Sequence, residues 1–467
     1  MVSNDPAPQQ LARHGLLYTA GVVIQGFATL AVIPFVTRLL GSVQYGSVAV
    51  GLSIIQIGAV LAVAGLPIAI TRAYFDPGDG PLRARAMLGY VVGIGIAVTA
   101  AALLLRPLLG AVVSLSVAAV GAMTLVVGGQ AVLRAQGRPL VFVLTAIGST
   151  VGAHLIGLTA ANFSPTAGTY LMGYFVGTVL TAALAMLATP PTFPWRVHGA
   201  MAEGTRIALP VLPHMAAVLI LNSADPLIVS HVLGASAAGR YQVAMMLGIA
   251  PLAVLAGINN AWSPAIMSAP DEDRWAFLVR TMRPIMWVAV ICTVGLGLLA
   301  PLVVHVLAPA DFGYQAMARL IQIITLTAPA QVVYLGAASV IFNEKRTAPL
   351  AFSTPIAAAL FVGMSIPLLS WFGVLGMAIA KVAGFALLAV ATMVAAGRVA
   401  DVPWRPSGWA PIIGVAVVGV LVLLVVPASA AAVWAQAGAA VLLGLASAAG
   451  IARMGILPGR ATTPAQT

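Results

Sequence analysis

Two charged residues lie inside long apolar stretches of this sequence, where an uncompensated charge is expensive. Lys381 falls within an apolar run at 372–396, and Asp225 falls within another at 209–233. Ionisable residues in such runs are candidate functional groups by default. Lys381 could hold an anion such as a diphosphate, acting as a flexible point charge. It could also pair with Asp225 as a structural ion pair, and the sequence leaves both possibilities open.

Asp225 is followed by Pro226, and this pair combines an acid with a helix irregularity. Proline has no N–H donor and kinks helices, which frees a backbone carbonyl close to the acid. A gate or a coupling-cation site could use both features. A local hydrogen bond near the membrane interface would account for Asp225 equally well.

No constellation in the sequence points to an enzyme or to a resident metal. The string Asp271–Asp273 has the Asp-x-Asp form that can hold a metal-bound nucleotide sugar, but it lies in a short polar segment where acids charge the start of a helix. Cys292 is the single cysteine, and no His-Glu-x-x-His motif or nucleotide-binding glycine loop is present. We therefore expect no catalytic residue, no metal and no cofactor.

The composition indicates which elements must position these residues. Hydrophobic residues make up 61% of the 467 residues and charged residues 7%, with a mean hydropathy of +1.06. Soluble domains carry about 25% charged residues, so this chain is expected to lie in a bilayer. Fourteen apolar runs are long enough for membrane spans of about 20 residues. Spans 1 to 14 are expected at 16–37, 47–71, 87–105, 108–132, 140–161, 169–187, 209–233, 241–267, 284–307, 317–342, 348–369, 372–396, 409–426 and 431–452.

Arginine placement orients these spans, because Lys and Arg in short loops are retained on the cytoplasmic side. With the N-terminus inside, seventeen of the 22 Lys and Arg residues fall on the inner side, and both termini are expected in the cytoplasm. The net charge of +11 follows from this topology, and no basic stripe suggests nucleic acid.

Three arginines at the ends of spans are candidate contacts for an anionic substrate. Arg72 ends span 2 on the inner side, where it could meet a phosphate on entry. Arg38 and Arg240 lie at the outer ends of spans 1 and 7 and could meet it on exit. Each of them could instead be a snorkelling or topology-setting arginine.

Polar residues inside the spans are further candidates for lining a cavity. They could hydrogen-bond sugar hydroxyls, although packing alone often satisfies such residues. They are His154, His214, Asn222, Asn259 and Asn260.

The sequence contains an internal repeat. PWRVHG at 194–199 follows span 6, and PWRPSG at 403–408 follows span 12, at an offset of 209 residues. Six spans are an even number, so the two units share one orientation and are expected to be related by an axis along the membrane normal. The expected lobes are an N-lobe at 1–200, a C-lobe at 201–406, and spans 13 and 14 with a cytoplasmic tail at 407–467.

A second pair of segments supports the repeat. RLLGSVQYGSVAV in the first half matches HVLGASAAGRYQVA in the second, so that Gly41 aligns with Gly234 and Gly46 with Gly239. Both glycine pairs have an offset of 193 residues.

These motifs resemble the multidrug, oligosaccharidyl-lipid and polysaccharide (MOP) flippase superfamily, and within it the polysaccharide transport branch of Wzx-type flippases. The resemblance runs from about Leu11 to Trp404. It is carried, in order, by TRLLGSVQYGSVAV, GLPIAITR, NSADPLIVSHVLGASAAGRYQVA and AWSPAI. It implies two six-helix lobes around a central cavity that opens alternately to each side. Spans 13 and 14 are additional to the basic twelve, as in the lipid II flippase branch.

The resemblance implies a function in the export of lipid-linked sugars. The expected protein lies in the bacterial plasma membrane and moves polyprenyl-diphosphate-linked oligosaccharides from the inner to the outer leaflet. Its expected partners are this substrate, membrane lipids, and polymerases and glycosyltransferases of the same pathway. A drug or cation antiporter of the same superfamily is one alternative, although it would favour an acidic cavity. A polytopic glycosyltransferase or polymerase is another, although such enzymes tend to need a long catalytic loop, and the outer loops here are short.

Overall fold

The computed structural model describes residues 8–346, 348–426 and 429–453. Across these residues the chain forms nineteen α-helices and no β-strand, with a π-helical turn at Gly148–Gly152. In chain order the helices are α1 (Pro8–Val63), α2 (Leu66–Ala73), α3 (Gly80–Leu104), α4 (Arg106–Ala135), α5 (Pro139–Ile147), α6 (Ala153–Phe163), α7 (Ala167–Ala188), α8 (Ala200–Ala208), α9 (Leu212–Ser223), α10 (Asp225–Leu233), α11 (Ala235–Gly248), α12 (Ala250–Ser268), α13 (Arg274–Leu307), α14 (Tyr314–Ile324), α15 (Thr327–Asn343), α16 (Ala348–Phe372), α17 (Val374–Gly397), α18 (Pro406–Val425) and α19 (Ala430–Arg453).

The helices coincide with the apolar runs of the sequence. Eleven helical segments of the described chain are long and apolar enough to cross a membrane, and α8 with α9, bent by 54° at their junction, form a twelfth as a broken span. The two other expected spans, 16–37 and 431–452, lie in α1 before Gly41 and in α19. The prediction of an all-α, multi-pass membrane protein is confirmed, and the number of helices agrees with about fourteen spans.

Matched glycines make matched turns in the two halves. Gly41 interrupts α1 with φ 67° and ψ 175°, and Gly234 separates α10 from α11 with φ 87° and ψ 169°. Positive φ is costly for residues with a Cβ atom, which explains why glycine stands at both positions. The repeat that the sequence predicted is therefore present in the backbone at this turn.

The two matched segments also cross each other. A Cβ atom on Gly46 would collide with the carbonyl oxygen of Ala235, and one on Gly239 would collide with the carbonyl oxygen of Ser42. Nearby, the hydroxyl groups of Ser42 and Ser236 are 3.0 Å apart. Equivalent segments of the two halves thus meet backbone to backbone in a reciprocal contact, which is the arrangement expected for segments next to a two-fold axis.

The buried core divides the molecule into two lobes. Near the two glycine turns, one core contains residues of both halves, such as Val36 and Tyr241. Toward the opposite ends of the helices lie two separate cores, one around Met282 within the second half and one around Met87, where α8 of the second half packs on helices of the first half. The lobes are therefore joined at one end and diverge toward the other.

Polar contacts between loops define the two ends of the bundle. At the joined end, Thr37 Oγ1 donates to the carbonyl of Leu307 at 2.9 Å, which brings the turn after span 1 to the end of span 9. At the opposite end, Arg85 donates to the carbonyl of Pro190 at 2.8 Å, and Arg138 donates to that of Ala188 at 2.9 Å. The loops alternate between the two ends as the topology predicts. The assignment of the divergent end to the cytoplasm and the exact lobe boundaries stay predictions.

Gly46→Ala is expected to lower the stability of the protein, because its methyl group would meet the Ala235 carbonyl across the helix crossing. Overpacking of this kind costs about 1–3 kcal/mol. The measurement is thermal unfolding of the detergent-solubilised protein.

Gly93→Ala is the matched control, since Gly93 is also helical, is exposed, and has open space at its Cβ position. The higher helix propensity of alanine, worth about 1 kcal/mol, should leave this variant neutral or stabilised. Equal unfolding midpoints for the two variants would contradict the close backbone contact at Gly46.

Candidate functional site

The candidate site is a buried charge cluster around Lys381. Its side chain extends from α17 and is fully buried. The Nζ atom lies 2.9 Å and 3.1 Å from the two carboxylate oxygens of Asp225. It also donates to the backbone carbonyls of Leu221 at 2.7 Å and Asn222 at 3.2 Å. The ion pair that the sequence raised as an alternative is therefore present, and the ammonium group has a full set of acceptors.

The sequence of span 7 explains why a cation is needed at this point. Helix α9 ends at Ser223, and α10 begins at Asp225 after a one-residue break. Pro226 has no N–H, so the carbonyl of Asn222, four residues earlier, lacks its helical donor. The C-terminus of α9 favours a positive charge, and the N-terminus of α10 favours a negative one. Lys381 and Asp225 meet both preferences.

Two further residues complete the cluster, and sequence reasoning missed both. The hydroxyl of Tyr241, on α11, donates to Asp225 at 2.7 Å. Ser223, at the break itself, donates to Gln56 of α1 at 2.8 Å and so links span 7 to the other lobe. Tyr241 lies in the repeated segment GRYQVA, and this repeat is the sequence feature that could have identified Tyr241 as a candidate. Gln56 could have been identified because it is a polar residue inside span 2 of the N-lobe.

Aromatic rings close the cluster on another side. The Nζ atom of Lys381 lies 5.9 Å from the ring centroid of Phe361 and 5.8 Å from that of Phe385. Both distances are within the range of a cation–π interaction, which is stronger in a desolvated site. The Met245 sulfur lies 3.9 Å from the same nitrogen. The ammonium group is thus surrounded by protein in this conformation.

The three candidate arginines lie apart from this cluster, and all three are exposed. Arg38 stands at the joined end of the lobes and donates to the carbonyls of Pro34 at 3.2 Å and Val306 at 2.8 Å. Arg240 is on α11, and Arg72 is in the last turn of α2. Their predicted role in contacting a phosphate stays a prediction.

The polar candidates are distributed over several helices. His154 Nδ1 lies 2.7 Å from the hydroxyl of Tyr170, and His214 Nδ1 lies 2.9 Å from that of Thr354. Asn222 donates to the carbonyl of Val218 within its own helix, at 2.7 Å. The side-chain carbonyl of Asn259 is buried without a hydrogen-bond partner among the described atoms, and Asn260 is exposed.

The acidic string that could have held a metal makes a local contact instead. Asp271, in the turn before α13, pairs with Arg274, the first residue of that helix. In the described parts of the chain, no group of three or more His, Cys, Asp and Glu side chains could hold a metal ion.

Comparisons with known proteins bear on the fold. No family model matches the chain, and no curated protein sequence matches it. Among solved structures, it is similar to the lipid II flippase MurJ in an inward closed conformation, with a TM-score of 0.73 and 12% identity, covering 94% of this chain and 100% of that chain. It is also similar to an inward-facing multidrug resistance MATE family transporter of the MOP superfamily, with a TM-score of 0.56 and 14% identity, covering 82% and 93%. The MATE multidrug transporter DinF-BH has the same TM-score and identity, with coverages of 88% and 98%.

The chain therefore has the fold of the MOP superfamily, as its sequence motifs predicted. The matched structures are those of a lipid II flippase and of multidrug transporters. The protein is a multi-pass membrane protein whose fold is similar to those of MurJ and the MATE transporters.

Lys381→Met is expected to destabilise the protein strongly. Methionine keeps an unbranched apolar side chain but removes the ammonium group, which leaves the Asp225 carboxylate without its counter-ion and two carbonyls without their donor. Breaking a buried pair in this way costs about 3–5 kcal/mol. Adding Asp225→Asn removes the stranded charge and should restore much of the lost stability. The measurement is unfolding in detergent, and a single variant as stable as the wild type would contradict a structural role for the pair.

Proposed function

We propose that the protein is a flippase that moves polyprenyl-diphosphate-linked oligosaccharides from the inner to the outer leaflet of the bacterial plasma membrane. The observation that carries the proposal is the full-length similarity to a lipid flippase, which covers 94% of this chain and all of the other. Residues 1–405 make up less than 94% of the chain, so the region that is similar to the flippase must include part of α18 or α19. A lipid-linked sugar diphosphate is the substrate class that the sequence resemblance also implies.

The arrangement of the lobes supports alternating access. A core shared by the lobes near the glycine turns and two separate cores at the opposite end support a central path that would open toward that end. At the joined end the lobes meet through the bare backbone crossing of Gly46 and Gly239 and through hydrogen bonds such as Ser42 to Ser236. Individual hydrogen bonds contribute about 0.5–1.5 kcal/mol, and the shared apolar core contributes the rest of the contact. We propose that this contact separates during a transport cycle.

The charge distribution favours an anionic substrate over a cationic drug. Asp225, the acid inside the predicted spans, is neutralised by Lys381 and is not free to attract a cation. Exposed arginines stand at both ends of the predicted path, with Arg72 at the inner end and Arg38 and Arg240 at the outer end. We propose that these arginines contact the diphosphate on entry and exit.

We propose a positioning role for Lys381 and Asp225. Their contacts hold the break in span 7, which lies beside the other lobe through the hydrogen bond between Ser223 and Gln56. The pair would hold α9 and α10 in the relative orientation that allows Ser223 to contact Gln56 of the other lobe. A direct role of Lys381 in binding the diphosphate is the alternative that the double variant below distinguishes.

Transport can be measured with the purified protein in vesicles that contain a fluorescent polyprenyl-diphosphate-linked oligosaccharide. The expected result is that the sugar becomes accessible to an impermeant probe on the opposite leaflet, with its chemical structure unchanged. Protein-free vesicles are the control. Glycosyl transfer without translocation would support a membrane transferase instead. Uptake of cationic dyes without lipid translocation would support a drug antiporter.

Lys381→Ala is expected to lose transport in this assay, because it leaves the buried carboxylate of Asp225 without its counter-ion at the break in span 7. The double variant Lys381→Ala with Asp225→Asn should recover most of the transport if the pair only positions the helix. Protein amount in the vesicles, determined by immunoblot, normalises both measurements. A double variant that unfolds at the same temperature as the wild type but stays inactive would contradict the positioning role and support contact between Lys381 and the diphosphate, because equal stability shows that the break in span 7 is held without the Lys381 donor.

A further inference from the structure

The oxygen atoms around the Lys381 ammonium group have the arrangement of a site for a monovalent cation. The Nζ atom lies 2.7 Å from the carbonyl oxygen of Leu221, 3.2 Å from that of Asn222, and 2.9 Å and 3.1 Å from the two carboxylate oxygens of Asp225. In discontinuous membrane helices, the carbonyls at the end of a half-helix can coordinate a sodium ion. The break in span 7 presents such carbonyls, because α9 ends at Ser223.

The charge of this oxygen set matches a single positive charge. Asp225 supplies the carboxylate of the set, and the two backbone carbonyls are neutral. The C-terminus of α9 adds a partial negative charge, as the end of any helix does. Calcium needs about six to eight oxygen ligands, which this set does not supply. One carboxylate with two carbonyls is therefore suited to a monovalent cation, such as an ammonium, sodium or potassium ion.

The ammonium group of Lys381 fills this site. An ammonium group has three N–H donors, and the two carbonyls and the Asp225 carboxylate accept them. The side chain is fully buried, and its nitrogen is also in contact with the sulfur of Met245 and the rings of Phe361 and Phe385. A soluble cation at these oxygen atoms would have to displace the ammonium group, because two like charges at such a short distance repel each other.

We propose that the ammonium group of Lys381 occupies a monovalent-cation site at the break in span 7, so that the chain carries this cation on its own side chain and binds no sodium or potassium ion there. The sequence left a coupling-cation site at Asp225 as one possibility, and the tethered ammonium group takes the place of that ion. A tethered cation cannot cross the membrane, so a sodium gradient cannot drive movement through this site. The proposal concerns the occupancy of the site and does not depend on the proposed transport function.

Shortening Lys381 to alanine would empty the site and leave its oxygen atoms available to a soluble cation. Lys381→Ala removes Cγ, Cδ, Cε and Nζ, which together correspond to the heavy atoms of n-propylammonium. A simple alkylamine resembles the lysine side chain, whose pKa is about 10.4, and is therefore charged at pH 7. Propylammonium should bind in the vacated space and stabilise the variant, because a ligand that binds only the folded state raises its stability.

Binding can be measured as the thermal unfolding midpoint of the full-length Lys381→Ala protein in detergent at pH 7, titrated with n-propylammonium chloride. Tetramethylammonium chloride at equal ionic strength is the control for salt, and 1-propanol is the uncharged probe of the same size. The expected result is a saturable rise with propylammonium that recovers at least about half of the midpoint lost by the substitution. Ammonium chloride should give a smaller rise, because the ion replaces the charge without the alkyl chain. 1-Propanol should give none.

Two variants separate the binding of a cation from the filling of a cavity. The double variant Lys381→Ala with Asp225→Asn has the same vacated space without the carboxylate, so propylammonium should not raise its midpoint. Leu388→Ala is the matched control, since Leu388 is also a buried residue of α17, lies in the apolar core, and loses three side-chain carbon atoms. Propylammonium should leave its midpoint unchanged. The wild type should unfold at the same temperature in sodium, potassium and N-methylglucamine chloride.

Equal midpoints of Lys381→Ala in propylammonium and tetramethylammonium chloride would overturn the proposal. An equal rise with 1-propanol would also overturn it, because filling of the cavity would then be sufficient. So would a wild-type midpoint that rises in sodium chloride when that of the double variant does not, since a soluble ion would then bind at Asp225.

If Lys381→Ala does not accumulate in cells, the cells can be grown with propylammonium chloride or 1-propanol in the medium. Folded protein, measured by size-exclusion chromatography, should then be recovered with propylammonium and not with 1-propanol. No recovery with propylammonium would overturn the proposal. Cation binding as expected in a protein that fails the transport assay would support the site and contradict only the proposed function.

Discussion

The break in span 7 is the constraint around which the C-lobe is organised. A proline in a membrane-spanning helix leaves a carbonyl without its donor, and lipid supplies no water to replace it. Lys381 of span 12 donates to the carbonyls at the end of α9, and Asp225 balances its charge. Tyr241 adds a contact from span 8 to the same carboxylate. Three spans of one lobe are thereby tied together at one buried point.

The contact between the lobes has a different physical character. It depends on a shared apolar core, on close backbone approach at Gly46 and Gly239 and on isolated hydrogen bonds. Among the described residues, the ion pair that joins the two halves, Arg83 with Glu203, lies at the opposite end of the bundle. The helices of the C-lobe are held together by a buried ion pair, whereas the described contact at the joined end of the lobes consists of apolar packing and hydrogen bonds. In such an arrangement the lobes can move as units. The hydrogen bond between Ser223 and Gln56 joins the two regions.

Several features of the site could be predicted from local sequence. Lys381 and Asp225 stood out because charges are rare in apolar runs, and Pro226 marked the irregular backbone next to them. The glycine turns were recognisable because a positive φ restricts the residue type. Tyr241 and Gln56 were missed because both side chains are uncharged and so do not stand out in an apolar run as Lys381 and Asp225 do. Nothing in a linear sequence indicates that their side chains face the break in span 7.

The sequence alone determined the membrane location, the helical spans and the repeat, because hydropathy, charge in loops and glycine at strained turns are properties of single residues and short windows. The tertiary structure decided which faces of the helices meet. Lys381 and Asp225 are 156 residues apart, and their pairing required spans 7 and 12 to pack in one register. Spans that are apolar on all sides do not mark the face that packs inward, so rotation and register arise only when every helix is packed against its neighbours.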